Sequence, residues 1–188
     1  MNPILLDFPH EFETERLLLR MPIPGDGEAV HEAITASINE LRPWMGFAQN
    51  DQTKAEVETN TREAHISFLK REKLRMLVFL KDTNQFVGSS GLHNIDWDVR
   101  KFEIGYWGDT RFCGKGYMTE AIAGLTVFTF NELHANRVQI QCDSRNSRSR
   151  AIPERLGYEL EGIIRNEDLS VDGKELRDTC MYAKVKGR

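Results

Sequence analysis

Two glycines, Gly114 and Gly116, flank Lys115 in the stretch RFCGKGYMTE, where a strand-like segment gives way to a helical one. The first N–H groups of a helix have no intrahelical partners, and the helix dipole favours negative charge there. Phosphate groups bind at such positions. The glycines leave the amides bare, and Arg111 and Lys115 add positive charge, so the stretch predicts a pyrophosphate site. The alternative interpretation is that the glycines only permit a tight turn with positive φ.

Two common phosphate-binding motifs do not fit this stretch. A P-loop requires Ser or Thr directly after its Gly-Lys pair, and Gly116 follows Lys115 here. The dinucleotide fingerprint GxGxxG requires a third glycine at position 119, which is Thr119. We therefore expect a different phosphorylated cofactor.

The segments that must position this stretch predict a mixed α/β sheet with helices on its faces. Apolar residues recur at helical spacing in 25–37, 51–73 and 116–133, and a shorter helix is expected over about 147–156, ending at Gly157. Asp-Gly in VDGK at 171–174 predicts a closing hairpin. Strand-like runs begin at Phe12 and cover 74–82, 85–95, 101–107 and 137–143.

Composition narrows the class of protein. The 188 residues carry 25 Lys and Arg against 29 Asp and Glu, a net charge of -4, which argues against non-specific nucleic-acid binding. Apolar runs such as 76–80 are far shorter than the ~18 residues of a membrane span, and the N-terminus has no signal-peptide pattern. The three cysteines are widely spaced and form no CxxC pair, which predicts a reducing cytoplasm. The histidines form no HxxxH pair, so no metal site is expected.

The segment EIGYWGDTRFCGKGYMTEA at 103–121 resembles the acetyl-CoA motif of the GNAT acyltransferase superfamily. That motif places Arg or Gln three residues before Gly, with Gly or Ala two residues later, and Arg111, Gly114 and Gly116 match it. The segment NSRSRAIPERLGYELEG at 146–162 resembles the second half of the family's cofactor site. The resemblance also includes ETERLLLRMP at 13–22 and LRPWMGF at 41–47, so it covers nearly the whole chain. Within the superfamily, the sequence resembles the RimJ/RimL type, the N-terminal acetyltransferases of ribosomal proteins.

The resemblance implies one GNAT domain over 1–188, with a mostly antiparallel twisted sheet of about seven strands and helices on both faces. It implies acetyl-CoA as the co-substrate, with its pantetheine arm between the splayed strands EIGYW and RVQIQCD. It also suggests His93, Trp44, Phe47 and Trp97 as candidates for the acceptor pocket, although packing is an alternative role for each. The cofactor-binding residues that it predicts are Tyr106, Trp107, Arg111, Phe112, Cys113, Gly114, Lys115, Gly116, Tyr117 and Asn146.

Two residues are predicted to be catalytic. Strand alternation places Glu103 with Gly105 and Trp107, and it is the candidate general base, acting directly or through water. The alternative is a surface carboxylate. Ser149 is the candidate acid for the leaving thiolate, because some relatives carry a serine there, and helix capping is its alternative role.

Pro153 interrupts the predicted helix that contains Ser149. Proline has no N–H and cannot bond the carbonyl of the residue four positions earlier. We therefore expect either a late helix start or a kink beside the cofactor.

The resulting hypothesis is a cytoplasmic N-acetyltransferase that moves acetyl from acetyl-CoA to a primary amine, by direct attack without an acyl-enzyme. The expected acceptor is a protein or peptide N-terminus. A small amine, such as a polyamine or an aminoglycoside-like compound, is the alternative acceptor, and a non-catalytic CoA-binding module is the alternative class. The family resemblance also suggests a homodimer.

Overall fold

The computed structural model of the protein describes residues 2–187, in which eight strands form one continuous sheet. The strand order is β1-β2-β3-β4-β5-β6-β8-β7, and the prediction of a mixed, mostly antiparallel sheet is confirmed. Only β5 and β6 pair in parallel within the described residues. The strands are β1 (Glu11–Glu13), β2 (Leu17–Arg20), β3 (Leu74–Leu80), β4 (Phe86–Asp96), β5 (Lys101–Gly108), β6 (Arg137–Asp143), β7 (Glu159–Leu169) and β8 (Leu176–Val185).

The sheet has eight strands, against about seven expected, because the first apolar run is divided by a turn. Thr14 and Leu17 bond to each other through their backbones, and the Leu17 amide also donates to the Thr14 hydroxyl. These bonds close a tight reversal between β1 and β2. A continuous run of strand-forming residues therefore becomes two short strands.

Within residues 2–187, five α-helices accompany the sheet. Apolar side chains at alternate positions of β3 contact helices on opposite faces of the sheet. Leu77 and Phe79 belong to a cluster with Val30 and Val57, which lie on two helices of one face. Met76 and Val78 belong to the larger core cluster, which includes α4. The period-two alternation of the strand therefore buries both faces. The helices are α1 (Gly27–Ala36), α2 (Ile38–Leu41), α3 (Lys54–Leu69), α4 (Tyr117–Asn131) and α5 (Ser147–Arg155).

Strands β5 and β6 separate part of the way along the sheet. Their pairing runs from Lys101 with Arg137 to Glu103 with Gln139 and stops there. Beyond this point β5 stays paired with β4 as far as Gly108, and β6 stays paired with β8 as far as Asp143. The two strands therefore open a wedge that begins at Glu103, at the place where the family resemblance expects a pair of splayed strands.

Helix α5 excludes one of the two alternatives predicted at Pro153. The helix begins at Ser147 and includes Pro153, so the late start is wrong, whereas the kink stays a prediction. The early start is stabilised by Asn146, whose side-chain oxygen accepts a hydrogen bond from the Ser149 amide at 3.1 Å. The Ser149 carbonyl, which Pro153 leaves without its helical partner, accepts a hydrogen bond from the Tyr106 hydroxyl at 2.7 Å.

Candidate functional site

The segment between β5 and α4 contains the two glycines of the predicted phosphate site. A short 3-10 turn, Thr110–Phe112, intervenes before residues 113–117, here called the glycine loop. Gly114 and Gly116 both have φ of 79°, the left-handed region that favours glycine, which confirms the tight turn. Gly116 precedes α4 and provides no side-chain cap, and a Cβ at Gly114 would meet no atom within 4 Å. The loop therefore exposes bare backbone at a helix N-terminus, and these residues fit a pyrophosphate group.

Arg16 and Glu120 form a hydrogen-bonded pair that contacts the glycine loop. The Arg16 guanidinium donates to Glu120 at 2.6 Å and to the Lys115 carbonyl at 3.1 Å, and it lies 4.6 Å from the centre of the Tyr117 ring. Burial raises the pKa of Glu120, but hydrogen bonds from Thr14 and Arg16 outweigh it and hold the pKa below its usual value. Sequence reasoning missed Arg16, because no local pattern connects it to a loop about a hundred residues later along the chain.

The charges predicted beside the loop have other partners. Arg111 forms a bidentate pair with Asp109, whose side chain is fully buried, and this hydrogen bond raises the pKa of Arg111. Lys115 lies 5.5 Å from the centre of the Phe112 ring. The cation of Arg111 therefore compensates a buried carboxylate, and its predicted contact with the cofactor stays a prediction.

Glu103 lies at the apex of the wedge, and its side chain is 9% exposed. One oxygen is 3.1 Å from His93 Nε2, and the other accepts from the amides of Asn94, Gln139 and Gln141 at 3.3, 2.9 and 3.1 Å. Burial raises the pKa of Glu103, but the hydrogen bonds from His93, Gln139 and Asn94 outweigh it and hold the pKa below its usual value. These five residues are here called the Glu103 cluster.

Ser149 lies on the opposite face of the sheet, close to Tyr106. Its hydroxyl donates to the Tyr106 hydroxyl at 3.2 Å, and burial raises the pKa of that tyrosine. Burial also raises the pKa of the neighbouring Cys142 thiol, to about 11. Side chains alternate between the two faces along β6. Cys142 therefore lies on the Ser149 side of the sheet, whereas Gln139 and Gln141 lie on the Glu103 side.

A cleft of about 360 Å³ runs through the wedge between β5 and β6. It brings together both predicted catalytic residues, since Glu103 and Ser149 line it from opposite faces of the sheet. Tyr106 and Asn146 also line it, as do His93 and Trp44 from the predicted acceptor pocket. Sequence reasoning missed Asp168 and Arg177, which the hairpin of β7 and β8 brings to this cleft.

Other residues suggested for the pocket serve in packing. Trp97 donates its indole N–H to the Arg71 carbonyl at 3.0 Å and packs edge-on against Phe102. Phe47 packs against Trp107, with ring centres 5.8 Å apart. Trp97 and Phe47 therefore contribute to the core, whereas Trp44 lines the cleft.

None of the helices within residues 2–187 is both long and apolar enough to cross a membrane. No group of three or more His, Cys, Asp or Glu side chains in the same range is placed to hold a metal ion.

Known proteins resemble the chain over most of its length. The family described as acetyltransferase (GNAT) domain matches residues 16–159. YdaF of Bacillus subtilis, provisionally named a ribosomal N-acetyltransferase, is 34% identical over 175 residues, which cover 92% of each chain.

Solved structures share the fold. The microcin C7 self-immunity acetyltransferase MccE, solved with acetyl-CoA and AMP, has a TM-score of 0.86 at 22% identity, over 95% of this chain and 98% of that one. RimL, the ribosomal L7/L12 alpha-N-protein acetyltransferase solved with coenzyme A, has a TM-score of 0.84 at 22% identity, over 92% and 95%. The family match, together with a cleft that opens where two parallel neighbouring strands separate, shows that the chain belongs to the GNAT acetyltransferase family and is an N-acetyltransferase.

Proposed function

We propose that the protein transfers the acetyl group of acetyl-CoA to the α-amine of a protein or peptide N-terminus. The observation that carries the proposal is the cleft through the wedge, which gives access to the same gap from both faces of the sheet. An amine can approach from the face of the Glu103 cluster while the thiol departs on the face of Ser149 and Cys142. The names of YdaF and RimL favour a ribosomal-protein acceptor, which would place the reaction in the cytoplasm.

The cofactor is expected to extend from the glycine loop into the wedge. Backbone N–H groups of residues 112–117 would hold the pyrophosphate, with the dipole of α4 adding to the attraction. The edge of β5 at Tyr106 and Trp107 has no pairing with β6, so its backbone is available to the pantetheine arm and to the developing oxyanion. Acetyl-CoA supplies the thioester carbonyl that the amine attacks.

Direct attack is favoured over an acyl-enzyme. With a pKa of about 11, the Cys142 thiol carries little thiolate near neutral pH, and the thiolate is the nucleophilic form. Cys113 is exposed in the glycine loop, and its thiol points to the Asp109 carbonyl at 3.7 Å. We assign Glu103 to the amine side of the reaction and Ser149 to the protonation of the departing thiolate.

The test measures CoA release from acetyl-CoA with peptides that begin with Ser or Ala, and mass spectrometry then locates the acetyl group. The same peptides with a blocked N-terminus are the matched control, and they are expected to give no release. Intersecting initial-velocity lines are expected for direct transfer, whereas parallel lines would indicate an acyl-enzyme. Turnover with polyamines or amino sugars and none with peptides would contradict the N-terminal acceptor, and CoA binding without any turnover would indicate a binding module.

The homodimer suggested by the family resemblance stays a prediction. Sedimentation of the purified chain over a range of concentrations would decide it, because a dimer has twice the 21.7 kDa mass of one chain.

A further inference from the structure

We infer that His93 accepts the proton of the attacking amine and that Glu103 is the positioning residue that holds the imidazole ready for it. The inference rests on the proposed acetyl transfer to an amine and assigns a further catalytic residue to it. Its basis is the contact of His93 with Glu103 at the apex of the wedge.

Glu103 itself is poorly placed to take a proton from a substrate. Its side chain is 9% exposed, and both carboxylate oxygens already accept hydrogen bonds, one from His93 and the other from the three amide side chains of the Glu103 cluster. These bonds favour the ionised form and hold the pKa of Glu103 below its usual value, which weakens it as a base. Glu103 is therefore better placed to orient the His93 imidazole than to exchange a proton with an amine.

The contact with Glu103 decides which nitrogen of His93 is basic. An ionised carboxylate only accepts hydrogen bonds, so the neutral imidazole must carry its proton on Nε2, which lies 3.1 Å from Glu103 Oε1. The lone pair then lies on Nδ1. Within residues 2–187, no protein group is hydrogen-bonded to Nδ1, and the His93 side chain is 38% exposed at the cleft.

The sheet leaves room for the ring at this position. His93 and Glu103 are register partners on β4 and β5, and Gly105 lies two residues beyond Glu103 on the same face. A Cβ built on Gly105 would be 2.9 Å from His93 Cε1 and 3.3 Å from Nδ1. The imidazole therefore lies over the β5 backbone where pairing with β6 has just ended, and only glycine at position 105 permits that placement.

In the assigned step the amine nitrogen forms a bond to the thioester carbonyl carbon, and the carbon–sulfur bond breaks. One proton leaves the amine nitrogen for Nδ1 of His93. The departing thiolate takes a proton from the Ser149 hydroxyl, and Ser149 recovers a proton from solvent. The imidazolium, stabilised by the Glu103 carboxylate, then releases its proton to solvent.

The first experiment compares His93→Gln with the wild type in acetylation of the preferred peptide. Glutamine can still donate to Glu103 but has no basic nitrogen, so we expect kcat to fall at least about tenfold while the KM for acetyl-CoA stays within about twofold. The matched control is His65→Gln on α3, where the histidine contacts the Pro22 carbonyl at 2.7 Å. The control is expected to keep the wild-type kcat, and a His93→Gln enzyme that also keeps it would overturn the inference.

A double-mutant cycle separates the role of Glu103 from that of His93. If Glu103 acts through His93, Glu103→Gln costs less in kcat than His93→Gln, and the double variant is no slower than His93→Gln alone. If Glu103 is instead the direct base, its substitution costs more than that of His93, and the inference fails.

The tautomer of His93 is a readout that does not depend on turnover. Nitrogen-15 NMR of the wild-type imidazole is expected to show the proton on Nε2, whereas a proton on Nδ1 would overturn the inference. A wild-type protein that acetylates none of the peptides contradicts the proposed function. The tautomer then still shows whether Glu103 holds His93 with Nδ1 free of a proton, which is the arrangement on which this inference depends.

Discussion

The Glu103 cluster is centred within β5 and the glycine loop follows the end of that strand, but the two regions are constructed differently. The glycine loop consists of contiguous residues, is largely exposed, and offers backbone N–H groups at the start of α4. The Glu103 cluster takes its side chains from three neighbouring strands, β4, β5 and β6, and is centred on a buried carboxylate. The first presents backbone geometry, and the second presents side chains that hold one another in place.

This difference predicts where substitutions act. Changes in the glycine loop should weaken cofactor binding, and their cost in folding stability should be no greater than at another exposed glycine with positive φ. Changes at the buried residues around the wedge should first destabilise the fold, because unpaired buried polar groups are costly. Three substitutions test this division, from the largest expected effect to the smallest.

Tyr106→Phe is expected to destabilise the protein by about 1–3 kcal/mol, because it leaves the Ser149 carbonyl without a donor. The measurement is chemical denaturation. The same substitution in a Pro153→Ala background supplies the control, since an N–H at position 153 can bond that carbonyl in the helix. Tyr106→Phe should cost less there, and equal costs in both backgrounds would show that the tyrosine does not replace the missing helical bond.

Gly114→Val is expected to weaken CoA binding about tenfold or more, which corresponds to about 1.4 kcal/mol. Gly114 has a φ of 79°, so valine strains the left-handed backbone there. Its side chain would also cover the neighbouring backbone amides. Gly173→Val is the matched control, because Gly173 has a φ of 72° and equally open surroundings in the hairpin between β7 and β8. Calorimetry should find CoA affinity reduced in the first variant only, and an equal loss in both would place the pyrophosphate elsewhere.

Glu103→Gln is expected to reduce stability in a way that depends on pH. The folded pKa of Glu103 lies below its unfolded value of about 4.3, so the ionised group contributes its stability above that pH and loses it as the pH falls through the folded pKa. The stability difference between wild type and variant should therefore shrink on acidification. Exposed Glu63, which accepts no hydrogen bond in the described part of the chain, is the control, and an equally pH-dependent difference for Glu63→Gln would contradict this assignment.

Local sequence patterns were sufficient for the glycine loop and most of the secondary structure. Gly114, Gly116 and Gly157 all have positive φ, as their positions at turns and helix ends predict. These outcomes depend on backbone preferences and on apolar periodicity, which act over a few residues. The additional strand is an error of boundary, and it results from Thr14, whose side chain bonds the backbone in the turn. The start of α5 at Ser147 agrees with the predicted range, and Asn146 caps the helix there.

What the sequence by itself determined is therefore the list of elements, the exposed backbone of the glycine loop and the position of Glu103 in its strand. Only the tertiary structure decided the partners: Gln139 and Gln141 reach Glu103 from β6, Arg16 reaches the Lys115 carbonyl from the start of β2, and Tyr106 replaces the helical bond that Pro153 removes. These contacts join residues far apart in the chain. Apolar periodicity specifies which face of a strand is buried, but the partners of a side chain depend on strand order and on where pairing ends.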